Sequence, residues 1–243
     1  MGILVAIEGI DGAGKTTQVE LLGKALREAG EQVVISKEPT DGQWGQRIRA
    51  SAQNGRMPLV DELEAFIEDR KEHVANIIGP ALTTGQIVVL DRYFYSTIAY
   101  QGARGADVVE LAKEMEALAP RPDVVILLDL APRVALDRIA GSRGDTPNHF
   151  EKVGYLAKVR KIFQRLTESH TEMRRFDGHR SIKDIHRDIV EELVEGPFKQ
   201  YRAKTYDCDC WYCSYKEVNT CRWFMLQGRL RTLARKTPSA THS

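Results

Sequence analysis

The stretch that decides the fold is GIDGAGKTT, residues 9–17, which directly follows an apolar run at residues 3–7. It matches the pattern G-x-x-x-x-G-K-[ST], and it lies between an expected strand and a helix expected to begin near Thr16. Glycines allow backbone angles at which successive N–H groups point at an anion, and the positive end of the helix reinforces that binding. Lys15 is expected to bridge the β- and γ-phosphates of a nucleoside triphosphate, and the Thr16 hydroxyl to bind Mg²⁺. The alternative, a plain glycine-rich turn, is disfavoured by this strand–helix context.

The composition is that of a soluble globular protein. The 243 residues include 42% hydrophobic and 28% charged residues, enough for one α/β core and a small appendage. No apolar run approaches the roughly 20 residues that a membrane-spanning helix needs. The N-terminus shows neither a basic stretch nor a signal-peptide core. We therefore expect a cytoplasmic protein.

Charge and cysteine content divide the chain in two. The net charge is +1, but residues 199–243 carry nine Lys/Arg and three Asp/Glu, which leaves +6 for this tail and −5 for the rest. All of the cysteines also lie in the tail. We predict a domain at residues 1–197 and a basic, Cys- and aromatic-rich extension at residues 198–243.

Short apolar runs predict the strands of a parallel sheet. Residues 87–90 and 124–128 are entirely apolar, as expected for strands buried on both faces. Asp91 directly follows the first run, and Asp129 directly follows the second. Further strands are expected at residues 32–36 and 172–176. Because ligands gather at the carboxyl ends of parallel strands, Gly9, Glu38, Asp91 and Asp129 are expected to cluster. Helices are expected at about residues 16–29, 44–53, 59–79, 107–118, 132–140, 151–173 and 182–194.

Residues 141–149 read GSRGDTPNH and are too rich in glycine, proline and polar residues to predict a helix. A surface loop is one interpretation. In a P-loop kinase, such a segment is instead the natural candidate for a mobile lid, whose arginine reaches the transferring phosphoryl group. The phosphate loop upstream favours the lid.

A phosphate loop alone does not settle function, because switches, motors, transporters and kinases share it. Further motifs follow it in order: KEPTDGQWGQRIR (37–49), FIEDRKEHV (66–74), VVLDRYFYSTIAYQGARG (88–105), LLDLAPRVALDRI (127–139), FEKVGYLAKVRKIF (150–163) and FDGHRSI (176–182). With these motifs the chain resembles thymidylate kinases, P-loop enzymes that phosphorylate dTMP to dTDP with ATP and Mg²⁺. The resemblance extends from Ile3 to about Leu193. It implies an α/β fold of the nucleoside monophosphate kinase type, with a parallel five-stranded sheet flanked by helices.

The resemblance implies a role for most of these polar residues. Phe66 would stack on the thymine ring, and Arg70, one helical turn later on the same face, would hydrogen bond to a base carbonyl. Tyr100 would pack under the deoxyribose, and Gln101 would read the pyrimidine edge. Simple core packing or capping is the alternative for Phe66, Tyr100 and Gln101.

The resemblance also implies how phosphates are held. Arg49 and Arg92 would clamp the 5′-phosphate of the substrate with forked donors that stay charged. Surface salt bridges are the alternative for both. Asp91 would orient Arg92 and the water shell of the metal, and Asp11 would meet the sugar and phosphate region.

The implied site therefore comprises several overlapping sets of residues. The ATP-binding residues are Gly9, Ile10, Asp11, Gly12, Ala13, Gly14, Lys15, Thr16 and Thr17. The substrate-binding residues are Asp11, Glu38, Pro39, Arg49, Phe66, Arg70, Arg92, Tyr100 and Gln101. The catalytic residues are Lys15, Arg92, Arg143 and Asp11. Thr16 and Asp91 would hold Mg²⁺, directly or through water.

Three departures from the family pattern concern charge. One subgroup carries an arginine in the phosphate loop where this chain has Gly12, so the lid must supply the positive charge, with Arg143 as first candidate and Arg138 as second. The family often has Asp-Arg before the Phe-Glu of the lid, whereas this chain has Asn148-His149. Lys37 replaces the usual arginine before Glu-Pro.

The tail holds Cys208, Cys210, Cys213 and Cys221 within one short segment. Soft thiolate ligands in a reducing compartment favour a structural Zn²⁺ site. The spacing is not a double C-x₂-C, so unpaired thiols, disulfides and an iron–sulfur site stay open. The resemblance does not cover this segment.

The tail also interleaves aromatic and basic side chains. Such a pattern can bind single-stranded nucleic acid by stacking and phosphate contacts, or it can dock on the oppositely charged body of the same chain. We consider self-docking the more economical interpretation.

The leading hypothesis is an ATP- and Mg²⁺-dependent dTMP kinase, which family resemblance suggests is a homodimer. One alternative is a kinase for another pyrimidine monophosphate, such as dUMP or a base-modified relative. The other is a nucleic-acid-associated P-loop protein that acts through its tail.

Overall fold

A computed structural model of the chain describes residues 2–143, 149–198 and 222–236. Its core is a five-stranded, all-parallel sheet with the strand order β2-β3-β1-β4-β5, which confirms the predicted fold class. The strands are β1 (Ile3–Glu8), β2 (Val33–Lys37), β3 (Ile87–Asp91), β4 (Val124–Asp129) and β5 (Met173–Asp177).

The register brings the polar strand ends to one edge of the sheet. Ile7 in β1 pairs with Asp91 in β3, and Lys37 at the end of β2 pairs with the same aspartate. On the other side, Glu8 pairs with Leu127 of β4. The phosphate loop therefore leaves the sheet from β1, between the two neighbouring strands, where the ligand of an open parallel sheet binds.

Helices cover both faces of the sheet, and the apolar strands explain why. Val5, Ala6, Ile7, Val89 and Ile126 are fully buried, as strands without a solvent face require. The helices are α1 (Lys15–Glu28), α2 (Gln43–Asn54), α3 (Leu59–His73), α4 (Gly79–Thr83), α5 (Phe94–Gly102), α6 (Val108–Leu118), α7 (Pro132–Arg143), α8 (His149–Ser169), α9 (Ile182–Glu195) and α10 (Arg222–Lys236). Among these described helices, none combines the length and apolar character that a membrane crossing requires.

Three helical features differ from the sequence-based expectations. The single helix expected over residues 59–79 is broken by a π-helical turn, Val74–Ile78, after α3. Helix α5 was not expected, because its sequence FYSTIAYQG is rich in residues that favour strands. Helix α7 continues through Gly141 and Ser142 to Arg143, so the first part of the expected lid is helical.

Helix α10 lies within residues 198–243, the predicted extension, and packs against the predicted body. It packs against α9 and, less extensively, against α1, the helix that follows the phosphate loop. Leu230 and Ala234 are buried in this contact. Arg231 contacts the carboxylates of Glu191 and Glu195 on α9. The described part of the extension is thus joined to the body by an apolar stripe and an exposed ion-pair cluster.

Candidate active site

The phosphate loop has the backbone that its glycines predict. Gly9, Gly12 and Gly14 all have positive φ, at 144°, 80° and 93°. At Gly12 a Cβ atom would lie 2.4 Å from the carbonyl oxygen of Ala135, so no larger residue fits there without movement. Gly14 is the N-cap of α1 and brings no capping side chain, which leaves the first N–H groups of the helix available to an anion.

Lys15 lies at the end of the phosphate loop, where it is predicted to bind the β- and γ-phosphates. Its Nζ donates a hydrogen bond to the carbonyl oxygen of Ile10 at 2.9 Å, and its side chain is buried. Burial lowers the pKa of Lys15 to about 8, because the charged ammonium is poorly solvated there. A bound polyphosphate would favour the charged form, since it places negative charge beside the ammonium.

Thr16 and Asp91 meet at the ends of α1 and β3. The Thr16 hydroxyl donates to Oδ2 of Asp91 at 2.5 Å. The described part of the chain contains no group of three or more His, Cys, Asp or Glu side chains that could hold a metal ion by itself. A hydroxyl and a carboxylate suit Mg²⁺, which commonly takes one or two protein ligands and completes its shell with phosphate oxygens and water. The residues present therefore fit a metal that arrives with a nucleotide.

Arg92 joins the phosphate loop to helix α5. Its backbone φ is +71°, a left-handed conformation that is costly for a residue with a side chain. Nη1 donates to the Gly9 carbonyl at 3.2 Å, and Nη2 donates to Oδ1 of Asp11 at 2.5 Å. The Arg92 guanidinium lowers the pKa of Asp11 below its usual value. The predicted residues Gly9, Asp11 and Arg92 thus form one cluster.

Tyr100 belongs to the same cluster. Its hydroxyl accepts from the backbone N–H of Asp11 at 3.1 Å and lies 3.3 Å from Nη2 of Arg92. The Arg92 guanidinium also lies over the Tyr100 ring, 5.1 Å from its centroid. The tyrosine can therefore hold both the loop acid and the arginine in place.

Gln101 is fully buried and only partly hydrogen bonded. Its Oε1 accepts from Nη1 of Arg104 at 3.3 Å, whereas its Nε2 has no partner among the described residues. A buried donor without a partner costs free energy unless a ligand supplies an acceptor. The amide is thus available for an acceptor such as a base carbonyl.

Phe66 and Arg70 lie one turn apart on α3, as predicted, but Arg70 is only 1% exposed. Its Nε and Nη2 donate to Oε2 of Glu38 at 3.2 and 2.6 Å. Nη2 also donates to Thr97 at 2.9 Å, and Nη1 to the sulfur of Met115 at 2.8 Å. These contacts use four of the five N–H groups, so one remains for a base carbonyl. Phe66 is half-buried.

Glu38 is the carboxylate that neutralises Arg70. Its other oxygen contacts Nδ1 of His73 at 3.0 Å. Burial opposes its ionisation, but Arg70 and His73 outweigh burial and lower the pKa of Glu38. The sequence-based interpretation placed Glu38 among the substrate contacts, and the geometry also gives it a structural contact between β2 and α3.

In the described part of the chain, neither Arg49 nor Asp129 forms a hydrogen bond or an ion pair with Arg92. Arg49 donates to the Pro39 carbonyl at 3.0 Å and pairs with Asp41 at 3.2 Å. Asp129 ends β4 at the same sheet edge as Asp91, and Arg160 of α8 pairs with it at 2.5 Å. A basic residue from the helix after the lid segment therefore neutralises that strand end.

The residues of the predicted lid are described in part. Arg143 is the last residue of α7, and its side chain lies outside what the structure describes, as do Asn148 and the side chain of His149. Arg138 donates to the Gly178 carbonyl at 3.0 Å, in the FDGHRSI segment. Cys208, Cys210, Cys213 and Cys221 also lie outside the described residues, so the zinc prediction stays a prediction.

Two residues at the centre of the cluster were missed from the sequence. Glu8 is fully buried and contacts the start of α5, and Ser96 contacts both Glu8 and Arg92. A charged residue that ends an apolar strand, directly before Gly9, is the signal that could have identified Glu8.

Comparison with known proteins agrees with this geometry. A family model described as Thymidylate kinase matches residues 7–189. Thymidylate kinase of Xanthomonas oryzae pv. oryzae (strain PXO99A) is 50% identical over 196 residues, covering 80% of this chain and 86% of the relative. Thymidylate kinase of Xanthomonas campestris pv. campestris (strain B100) is 46% identical with the same coverage, and that of Xylella fastidiosa (strain M12) is 51% identical over 162 residues, covering 67% and 74%. The chain belongs to the thymidylate kinase family.

Proposed function

We propose that this chain transfers the γ-phosphoryl group of ATP to dTMP and releases dTDP and ADP. The observation that carries the proposal is the Arg92 cluster, which places a forked cation between the phosphate loop and the helix that bears Tyr100 and Gln101. A donor triphosphate on the loop and an acceptor monophosphate near α5 would both lie within reach of that cation. Family membership and the names of the relatives support dTMP as the acceptor.

The mechanism requires positioning and charge neutralisation rather than a general base. The phosphate oxygen of a monophosphate is already a nucleophile, so the protein must hold two polyanions in line. Lys15 would leave the Ile10 carbonyl for the β- and γ-phosphates, and Arg92 would exchange Asp11 for the acceptor phosphate. Fixed cations at these positions stabilise the charge that develops during transfer. Mg²⁺, held by Thr16 and Asp91 directly or through water, supplies further neutralisation of that charge when bound.

The base would lie between α3 and α5. Phe66 would offer an aromatic face, the remaining N–H of Arg70 would donate to a base carbonyl, and the unpartnered Nε2 of Gln101 would offer a second donor. Thymine has two carbonyl oxygens, which this pair of donors suits. Glu38 and Pro39 would support this wall of the site.

We further propose that Arg143 brings positive charge to the transferring phosphoryl group. Helix α7 carries its backbone to the start of the predicted lid. Arg138 is the weaker candidate because the Gly178 carbonyl already occupies its Nη2. Arg49 would assist Arg92 at the acceptor phosphate after it leaves Asp41.

The remaining proposals concern assembly and the extension. We propose a homodimer, a boundary between residues 197 and 198, and Zn²⁺ as a candidate ligand of the tail cysteines. Light scattering of the purified protein tests the first proposal, and metal analysis tests the last.

The experiment that tests the function is a coupled ATP-consumption assay against dTMP, dUMP, UMP, dCMP and CMP. The expected result is a preference for dTMP that disappears in Lys15→Ala and persists in Lys24→Ala, an exposed lysine on the same helix. Preference for another pyrimidine would move the proposal to that base. No turnover of any monophosphate would overturn it and direct attention to nucleic-acid binding by residues 199–243.

A further inference from the structure

Glu8 is a buried carboxylate that the proposed chemistry does not use. It is the last residue of β1, directly before Gly9 of the phosphate loop, and it is fully buried. One oxygen, Oε1, accepts from the backbone N–H groups of Tyr93 at 2.8 Å and Ser96 at 3.2 Å. The other, Oε2, accepts from the Ser96 hydroxyl at 2.6 Å. A buried charge is tolerated only where hydrogen bonds compensate for lost hydration, and these three bonds supply part of that compensation.

These contacts make Glu8 the cap of helix α5. The N-cap position of that helix is Tyr93, whose side chain makes no capping hydrogen bond. Glu8 instead accepts from the N–H groups at the N-cap and at the third helical residue, from a strand 85 or more positions earlier in the chain. A carboxylate at a helix N-terminus also interacts favourably with the helix dipole. The cap thus ties the start of α5 to the start of the phosphate loop.

The Ser96 hydroxyl extends the contact to Arg92. It donates its only proton to Glu8, so its lone pairs face outward, and one of them accepts from Nη1 of Arg92 at 2.9 Å. The same guanidinium nitrogen reaches the Gly9 carbonyl at 3.2 Å. Arg92 keeps a left-handed φ of 71°, and such a conformation persists only where surrounding contacts impose it.

We propose that Glu8 is a positioning residue: through the N-terminus of α5 and the Ser96 hydroxyl, it holds Arg92, Tyr100 and Gln101 in register with the phosphate loop. This inference rests on the proposed dTMP kinase function. In this role Glu8 maintains the geometry of the acceptor site and contacts neither substrate. Loss of the carboxylate should therefore weaken use of dTMP more than use of ATP.

Protonation offers a second way to disturb the same contact. Burial raises the pKa of Glu8 to about 7, against the opposing effects of Ser96, Arg92, the Tyr93 N–H and Lys15, which face it. The neutral carboxyl turns one accepting oxygen into a donor, so it can no longer accept all three hydrogen bonds. Because the folded-state pKa is raised, burial of this group favours folding below pH 4.5, and that contribution is lost as pH rises through about 7. Acid should thus impair positioning without impairing folding through this group.

The test compares Glu8→Gln with the wild type in the dTMP assay from pH 6 to 8.5. The amide cannot accept from Ser96 at its nitrogen, so kcat/KM for dTMP should fall about tenfold at pH 8, as expected for disturbing one charged hydrogen bond. KM for ATP should stay within about twofold, since the backbone of the phosphate loop is retained. In the wild type, kcat/KM for dTMP should decrease as the pH falls below about 7. The Glu8→Gln variant should not show this decrease.

Ser96→Ala and the double variant Glu8→Gln/Ser96→Ala test two interactions separately. One is the contact of the Ser96 hydroxyl with Arg92, and the other is the capping of α5 by Glu8. Ser96→Ala keeps both backbone donors to Glu8 but removes the acceptor for Arg92, so it should also lower dTMP efficiency about tenfold. If the two residues act as one unit, the double variant should lose little more than either single variant. Asp123→Asn is the matched control, because Asp123 accepts a backbone N–H from Leu4 in the same strand and lies far from the loop. It should leave dTMP kinetics unchanged.

Hydrogen exchange provides a readout that needs no turnover. Amides in residues 92–102 should exchange faster in Glu8→Gln than in the wild type, and should not change in Asp123→Asn. Unchanged exchange, or dTMP kinetics within twofold of an active wild type, would overturn the inference. An inactive wild type would instead overturn the proposed function and leave the exchange result to decide the inference. If Glu8→Gln does not fold, unchanged dTMP kinetics in Ser96→Ala would overturn it, and a loss selective for dTMP would support it.

Discussion

Two arginine–carboxylate pairs flank the proposed acceptor site and differ in exposure. Arg70 and Glu38 are 1% and 4% exposed, whereas Arg92 and Asp11 are 16% and 59% exposed. The first pair lies between β2 and α3 with further bonds to His73 and Thr97, and the second lies at the open side of the phosphate loop. A buried pair cannot lose one partner without leaving an uncompensated charge, but an exposed partner can move into water. The Arg70 pair therefore suits a fixed wall, and the Arg92 pair suits exchange with a phosphate.

Removing Arg70 should have the largest effect on stability. In Arg70→Met, Glu38 keeps only His73 as a compensating group, and the free energy of unfolding should fall by about 3–5 kcal/mol. Urea denaturation measures this change. Arg187→Met is the control, because the ion pairs that the described residues form with Arg187 involve Asp184 and Asp188, and all three side chains are between 33% and 46% exposed. A loss below about 1 kcal/mol would show that the two pairs do not differ as their burial indicates.

Removing Arg92 should chiefly affect catalysis. Arg92→Gly deletes the guanidinium, and glycine adopts the left-handed backbone at this position without strain. We expect kcat/KM for dTMP to fall about 100- to 1000-fold, as for loss of one charge-stabilising donor, while the free energy of unfolding stays within about 1 kcal/mol. Steady-state kinetics and urea denaturation measure the two quantities. A large decrease in the free energy of unfolding with little change in kcat/KM would show that Arg92, like Arg70, has a mainly structural role.

A third arginine, Arg231 in helix α10, should show the smallest effect. It contacts Glu191 and Glu195 with all three side chains between 31% and 55% exposed. Exposed ion pairs contribute about 0–1 kcal/mol and are screened by salt. Arg231→Ala should therefore lower the free energy of unfolding by less than about 1 kcal/mol in low salt and by less still in 0.5 M NaCl, with unchanged dTMP kinetics.

The control for that measurement is Arg229→Ala, an exposed arginine two residues earlier in the same helix. A loss of several kcal/mol at Arg231, or altered dTMP kinetics, would show that the extension supports the body through this ion pair. The apolar contact of Leu230 and Ala234 would then be the minor part of the docking.

The sequence by itself determined the parallel sheet, the phosphate loop and the approximate bounds of most helices. These features are local: the apolar runs, the glycines at fixed spacing and the helical periodicity each lie within a few neighbouring residues. The resemblance of successive motifs also predicted Asp11, Arg92 and Tyr100 as site residues, and the fold brings these three side chains into contact. Their order along the chain was informative because each follows or lies near the carboxyl end of a strand.

Only the tertiary structure decided what depends on distant contacts. Helix α5 consists of strand-favouring residues, yet its first turn is capped by Glu8, 85 positions before Tyr93, and the helix packs against α6 and α8. Arg70 is almost fully enclosed because Glu38, Thr97 and Met115 come from other elements. Helix α10 contacts α9 through residues that lie 40 positions apart in the sequence, Arg231 and Glu191. Hydrogen bonds and packing between remote segments depend on the spatial path of the backbone, which no local pattern specifies, so they override local propensity only once the fold has formed.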